Sequence, residues 1–185
     1  MQKTYITFLR GINVSGHKII KMDELRILFD GLGFRKTETY KQSGNVLFNY
    51  RETETSILEK KISDAILHKF NFEVPAIVIN AEDLRQIIPD NPFTEDKSKD
   101  SSFFHVTFLQ VNPDKRHVNK ISEMSFHPDE FYLKNKTVYL YIPGGYGKTK
   151  LSNSFIENKL KVKATTRNWK TLNAMLDMAD KIQGK

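Results

Sequence analysis

Runs of period two and runs of period 3.6 follow one another in the same order twice along this chain, and that order is its tightest constraint on fold. In the first copy Tyr5-Ile6-Thr7-Phe8-Leu9 reads as a strand entering the turn at 11–16. A helix follows with Met22, Leu25, Leu28, Phe29 and Leu32 on one face, Asp23 and Glu24 in its first turn and Gly33 where a left-handed C-cap is wanted. Residues 37–41 and 46–50 bracket Gln42-Ser43-Gly44-Asn45 as a hairpin. The spacing then predicts a helix over 55–70, with Leu58, Ile62 and Ile66 inward and Glu59, Lys60, Lys61 and Asp64 outward. A continuously apolar strand at 74–79 and a short helix capped by Asn80 and stopped at Pro89 complete the copy.

In the second copy a strand at 103–110 precedes a weakly patterned helix at 114–124. Residues 130–134 and 137–142 pair across the turn Asn135-Lys136. A helix at 152–160, with Ser154 and Glu157 as a capping box, leads to a short strand at 162–165 and a last helix begun by Thr165 or Thr166. The fold expected is α+β: two ferredoxin-like βαββαβ subdomains, each an antiparallel sheet with helices on one face. Residues 1–88 form the first, 103–185 with the C-terminal helix the second, and the polar, proline-bearing stretch 89–102 the linker.

Composition removes whole classes of chemistry. With no cysteine among 185 residues there is no disulfide framework, thiolate nucleophile or cysteine zinc site. The five histidines have no metal-ligand spacing, so neither a metal nor a cofactor is expected. The longest apolar run, 74–79, is far short of the roughly 20 residues that cross a bilayer, and the opening residues lack a secretory pattern. A cytoplasmic protein with no membrane partner is the expectation.

The formal charge is +7 and unevenly placed. Between 144 and 170, Lys148, Lys150, Lys159, Lys161, Lys163, Arg167 and Lys170 are opposed only by Glu157. Such a stretch either solvates one face or attracts a phosphate-bearing partner. Pro143-Gly144-Gly145-Tyr146-Gly147-Lys148-Thr149-Lys150 ends like a P-loop, but Ile142 stands where the leading glycine belongs, so a Walker-type NTPase is rejected. What remains is a glycine turn flanked by two lysines, friendly to anions. Arg10-Gly11-Ile12-Asn13 is no dinucleotide fingerprint, yet Arg10 and Asn13 are groups that clamp a carboxylate, phosphate or base edge, and Asn13 serves equally to satisfy backbone inside the loop. Ser43 lacks the GxSxG context of a nucleophile, and its turn reads first as hairpin chemistry. Arg167 and Asn168, expected at a helix start, suit an anion.

Taken together, Arg10-Gly11-Ile12-Asn13-Val14, residues 22–25, Gln42-Ser43-Gly44-Asn45-Val46, Lys150-Leu151 and Thr165-Thr166-Arg167-Asn168-Trp169-Lys170-Thr171 resemble the bacterial family called domain of unknown function DUF 1697. The likeness spans nearly the whole chain, with Ser15 in place of an expected glycine. It implies a bacterial cytoplasmic protein of two ferredoxin-like subdomains and no particular activity.

The leading expectation is a protein that binds a phosphate-containing small molecule or nucleic acid through Arg10, Asn13, Ser43, Asn45, Lys148, Lys150, Arg167 and Asn168. The alternatives are an enzyme on a small anionic substrate, with Asp23 or Glu24 moving a proton, and a scaffold for an acidic protein surface. No catalytic constellation can be assembled from the sequence.

Overall fold

A computed structural model describes residues 1–184. They form two compact units: Met1–Arg85 with the chain from Asn173 onward, and Gln86–Leu172. In the first, β1 (Gln2–Leu9), α1 (Met22–Gly31), β2 (Arg35–Tyr40), β3 (Asn45–Arg51), α2 (Thr55–Phe70) and β4 (Ala76–Asn80) precede the short α3 (Ala81–Ile87). The sheet order is β2-β3-β1-β4 with every neighbour antiparallel. This is the order that a βαββαβ chain predicts.

The period-two pattern works on both faces of this sheet. Tyr5, Leu9, Val46, Phe48, Ala76 and Val78 join the core cluster containing Leu25, Phe29, Leu58, Ile62 and Ile66 from α1 and α2. On the opposite face Ile6, Phe8, Leu47 and Ile77 are buried as well. The centre of the cluster is aromatic: Phe34 stacks on Phe48 at 4.1 Å, and Phe29 meets both rings edge-on. Burying each such ring contributes about 1.5–3 kcal/mol.

Two residues expected on the outside of α2 are not there. Glu59 is buried and accepts from the Val78 backbone N–H at 3.0 Å. β4 is an edge strand, so that N–H has no ladder partner and takes a carboxylate instead. Lys61 lies over the Phe34 and Tyr50 rings and donates to the Leu32 carbonyl at 2.7 Å.

In the second unit β5 (Phe104–Leu109), α4 (Lys115–Ser122), β6 (Glu130–Lys134), β7 (Thr137–Tyr141), α5 (Asn153–Leu160) and β8 (Ala164–Asn168) give the equivalent order β6-β7-β5-β8, again antiparallel. The last helix, α6 (Trp169–Gln183), runs from this unit into the segment counted with the first. Leu109, Val138, Leu140, Ala164, Ile121, Ile156 and Leu160 build the core between sheet and helices.

Matching bonds close both units. Leu9 N donates to Gly44 O and Arg10 N to Pro75 O; Leu109 N donates to Lys136 O and Gln110 N to Lys163 O. Glu157 caps the edge strand at Ala164 N, 2.9 Å, as Glu59 does at Val78. The helix cap of α5 is accordingly Ser152, whose hydroxyl accepts from Phe155 N, rather than the expected box of Ser154 and Glu157.

The expected linker is folded, and the units divide differently from the expected 1–88 and 103–185. Within 89–102 lie two 3-10 turns, Pro92–Thr94 and Ser101–Phe103, capped by Asn91 and Asp100. Phe93 is buried beside Phe104 and Tyr141, and Lys99 pairs with Asp96 and Glu130. Side-chain caps and one buried ring replace the periodicity that sequence patterning needs.

Candidate functional site

In the first unit, Gly11, Asn13, Ser15, Gly16 and Lys18 all have positive φ, so the segment after β1 is a tightly coiled loop. Asn13 holds it together. Its Nδ2 donates to Ile20 O at 2.9 Å and Gln42 O at 2.8 Å, while its Oδ1 accepts from Ile20 N at 2.8 Å. Asn45, fully buried, donates from Nδ2 to Tyr40 O and to Ser43 Oγ, each at 3.0 Å. Gly44 supplies φ +72° at a position where a Cβ would stand 2.6 Å from Leu9 Cβ. Neither amide is left to a ligand, and the Ser43 hydroxyl serves Asn45. Arg10, half-buried, follows directly on the Leu9 closure, its own N–H held by Pro75 O. Asp23 accepts from the Arg26 guanidinium one turn further on.

In the second unit the glycine turn and its lysines form a wall. Gly145 N donates to Ile142 O and Lys148 N to Gly145 O, each at 3.0 Å, so the chain makes two successive turns after β7. β7 is antiparallel to both neighbours, unlike the parallel strand before a P-loop. Two side chains pin the loop. The Tyr146 hydroxyl donates to Thr166 Oγ1 at 3.0 Å, and its ring stacks on His105 at 4.9 Å. Thr149 Oγ1 donates to Asp129 Oδ2 at 2.5 Å and accepts from Leu151 N at 3.0 Å. Thr166 Oγ1 in turn donates to Asn153 Oδ1 at 2.7 Å, which leaves Thr107 to donate to it.

Beside these pins, on either side of Thr149, Lys148 and Lys150 are exposed, and with Gly144 and Gly145 they line one side of an open cavity of about 310 Å³. Ser125, Phe126, His127, Pro128 and Asp129 line the other. Two lysines and a histidine in one concavity favour an anion. The carboxylate there, Asp129, is engaged by Thr149. His105, beneath Tyr146, donates from Nδ1 to Phe103 O at 3.1 Å, and burial pushes its pKa below the ordinary imidazole value.

Arg167 and Asn168 do not start a helix. β-branched Thr165 and Thr166 extend β8 through Asn168, with Arg167 opposite Val106 and Asn168 opposite His105. Arg167 Nη1 donates to Thr165 Oγ1 at 2.8 Å and Thr166 O at 2.9 Å, and burial pulls its pKa down to about 10 against the opposing influence of Tyr146. Asn168, not Thr165 or Thr166, caps α6, accepting from Thr171 N at 2.9 Å. Asn80 does the same for Asp83 N in the first unit.

The structure therefore brings Lys148 and Lys150 together on one wall, and engages Asn13, Ser43, Asn45, Arg167 and Asn168 in folding bonds. Sequence reasoning passed over His127, Phe126 and Tyr146. His127-Pro128-Asp129 precedes β6 with no motif to mark it, whereas Tyr146 inside a glycine run was a usable sign of an anchored loop. Among the described residues no group of three or more His, Cys, Asp or Glu is placed to hold a metal, and no helix is long and apolar enough to cross a membrane.

A family model described as "Protein of unknown function (DUF1697)" matches residues 1–139. Among solved structures, the conserved bacterial protein SP0830 from Streptococcus pneumoniae is similar over 97% of this chain and 99% of its own, with a TM-score of 0.76 and 22% identity. That likeness carries the fold. No curated protein matches.

Proposed function

We propose, for a chain that belongs to the DUF1697 family, that its second unit binds the phosphate group of a nucleotide or nucleic acid in the cleft between the 144–150 loop and residues 125–129. The observation that carries this reading is the pairing of Lys148 and Lys150 on a loop fixed at Tyr146 and Thr149, facing His127. Each lysine is exposed while the loop holds its backbone, so an incoming anion has to order the side chains and not the loop as well. Thr149 holds the Asp129 carboxylate, which moderates its repulsion of a phosphate. The first-unit loop is left out of the reading, because the Asn13 and Asn45 side chains are engaged by backbone and by Ser43.

The test is a thermal-shift panel of inorganic phosphate, nucleoside mono- and triphosphates and a short oligonucleotide, followed by titration across salt concentrations. A ligand at 100 times its dissociation constant should stabilise by about 2.7 kcal/mol. For an oligonucleotide, Lys148→Ala with Lys150→Ala should weaken binding and flatten the logarithmic salt slope by about 0.7 per lost single-strand contact. A panel in which nothing stabilises the parent chain, or a double variant that binds as well as the parent, overturns the proposal.

A further inference from the structure

The cleft does not end at its lysines. Its far wall carries Phe126, which is half-buried and meets Phe155 edge-on at 5.5 Å. Over the Phe155 ring, 5.6 Å from its centroid, lies the Nζ of Lys159, an exposed residue of α5. Cation, cleft, ring, ring and cation thus succeed one another along the second unit. Phe131 backs Phe126 from β6 at 5.6 Å, so the ring is held in place rather than free to swing. Of the carboxylates along this path, Asp129 is held by Thr149 and Glu157 accepts from Ala164 N; Glu123 lies exposed beyond the end of α4.

From this succession we infer that the ligand of the cleft is single-stranded nucleic acid, with one phosphate at Lys148 and Lys150, a base against Phe126 and a further phosphate at Lys159. The inference rests on the phosphate-binding reading above and names its substrate class. Alternation of cations with an aromatic wall is what an unpaired strand offers contacts to, because its bases are free to leave the stack. A duplex keeps its bases stacked inside, so Phe126 would gain nothing from it. An acidic peptide would use the lysines and leave the ring idle.

Fluorescence anisotropy with labelled oligothymidylates of increasing length tests this, alongside thymidine monophosphate, the corresponding duplex and polyglutamate as competitors. The expected result is at least about a tenfold gain in affinity from mononucleotide to tetranucleotide. Lys159→Ala should remove most of that gain and leave the mononucleotide unaffected. Phe126→Leu, which keeps an apolar side chain in the packing, should weaken the tetranucleotide at least about fivefold. Lys159 is a surface residue, so its variant stays informative if Phe126→Leu fails to fold. A mononucleotide that binds as tightly as the tetranucleotide overturns this inference and leaves the phosphate reading standing. Duplex or polyglutamate competing as well as the single strand also overturns it. If neither mononucleotide nor oligonucleotide binds, both readings fall together.

Discussion

Ser15 has φ +49° in the loop where the family resemblance leads one to expect glycine. A left-handed L-residue costs about 1–2 kcal/mol, and glycine returns about 0.5–1 of that as lost unfolded-state restriction. Ser15→Gly should therefore stabilise the chain by about 0.5–1 kcal/mol, read as a higher urea midpoint at unchanged slope. Gly44 is the opposite case. Its φ is +72° and an added Cβ would meet Leu9 Cβ at 2.6 Å and Ile12 Cδ1 at 3.0 Å. Gly44→Ala should cost about 2–5 kcal/mol, combining backbone strain with overpacking, and the same denaturation measurement checks it. The motif around Gly44 was visible in the sequence, and hairpin chemistry was its first reading. What no local pattern displays is the approach of Leu9, 35 positions away, which makes the glycine obligatory.

Among elements, β5 and the 144–150 loop show how charge and burial interact. His105 on β5 is stacked beneath Tyr146, and burial disfavours its imidazolium in the folded state, so its folded pKa lies below the unfolded value of about 6.5. The unfolded chain then binds more protons as pH falls. Its stability contribution is complete above about pH 6.5 and is lost on acidification, by at most about 1.4 kcal/mol per pH unit. His105→Phe should shrink the stability difference between about pH 7.5 and about pH 5.5, measured by urea unfolding at both. The helix stripes and the Asn80 cap were legible because each is written in neighbouring residues. Glu59 and Glu157 were not, since a carboxylate that caps an edge strand looks in sequence like any polar residue of a helix face. The strand boundary at 162–165 was misplaced for a related reason. Threonines serve as helix caps or as strand residues, and the ladder with β5 decides between them.

For the whole molecule, the first unit draws its last pieces from the far end of the chain. Arg85 donates to the Asp180 carboxylate and, at 3.0 Å, to Gln183, while Lys36 reaches the Ile182 carbonyl at 3.3 Å. With side chains 19% and 36% exposed, the ion pair of Arg85 and Asp180 is partly screened. Asp180→Ala should lower stability by about 1 kcal/mol or less. A fragment of residues 1–88, which lacks all of these partners, should unfold at lower urea than the same unit in the full chain. The alternation of periods in the first 88 residues gave no hint of this, because a helix's own stripe shows that it is buried and not which unit buries it.

By itself, the amino-acid order determined two βαββαβ units, the sheet order within each and the inward face of most helices, since local periodicity and turn chemistry are properties of neighbouring residues. It also marked the 144–150 loop. Tertiary structure alone decided that Asn13, Asn45 and Arg167 serve the fold, that 89–102 packs through Phe93, and that His127 and Phe126 stand across from Lys148 and Lys150. A polar side chain satisfies the nearest backbone or waits for a ligand according to what distant segments bring beside it, and that proximity is created only when the chain closes.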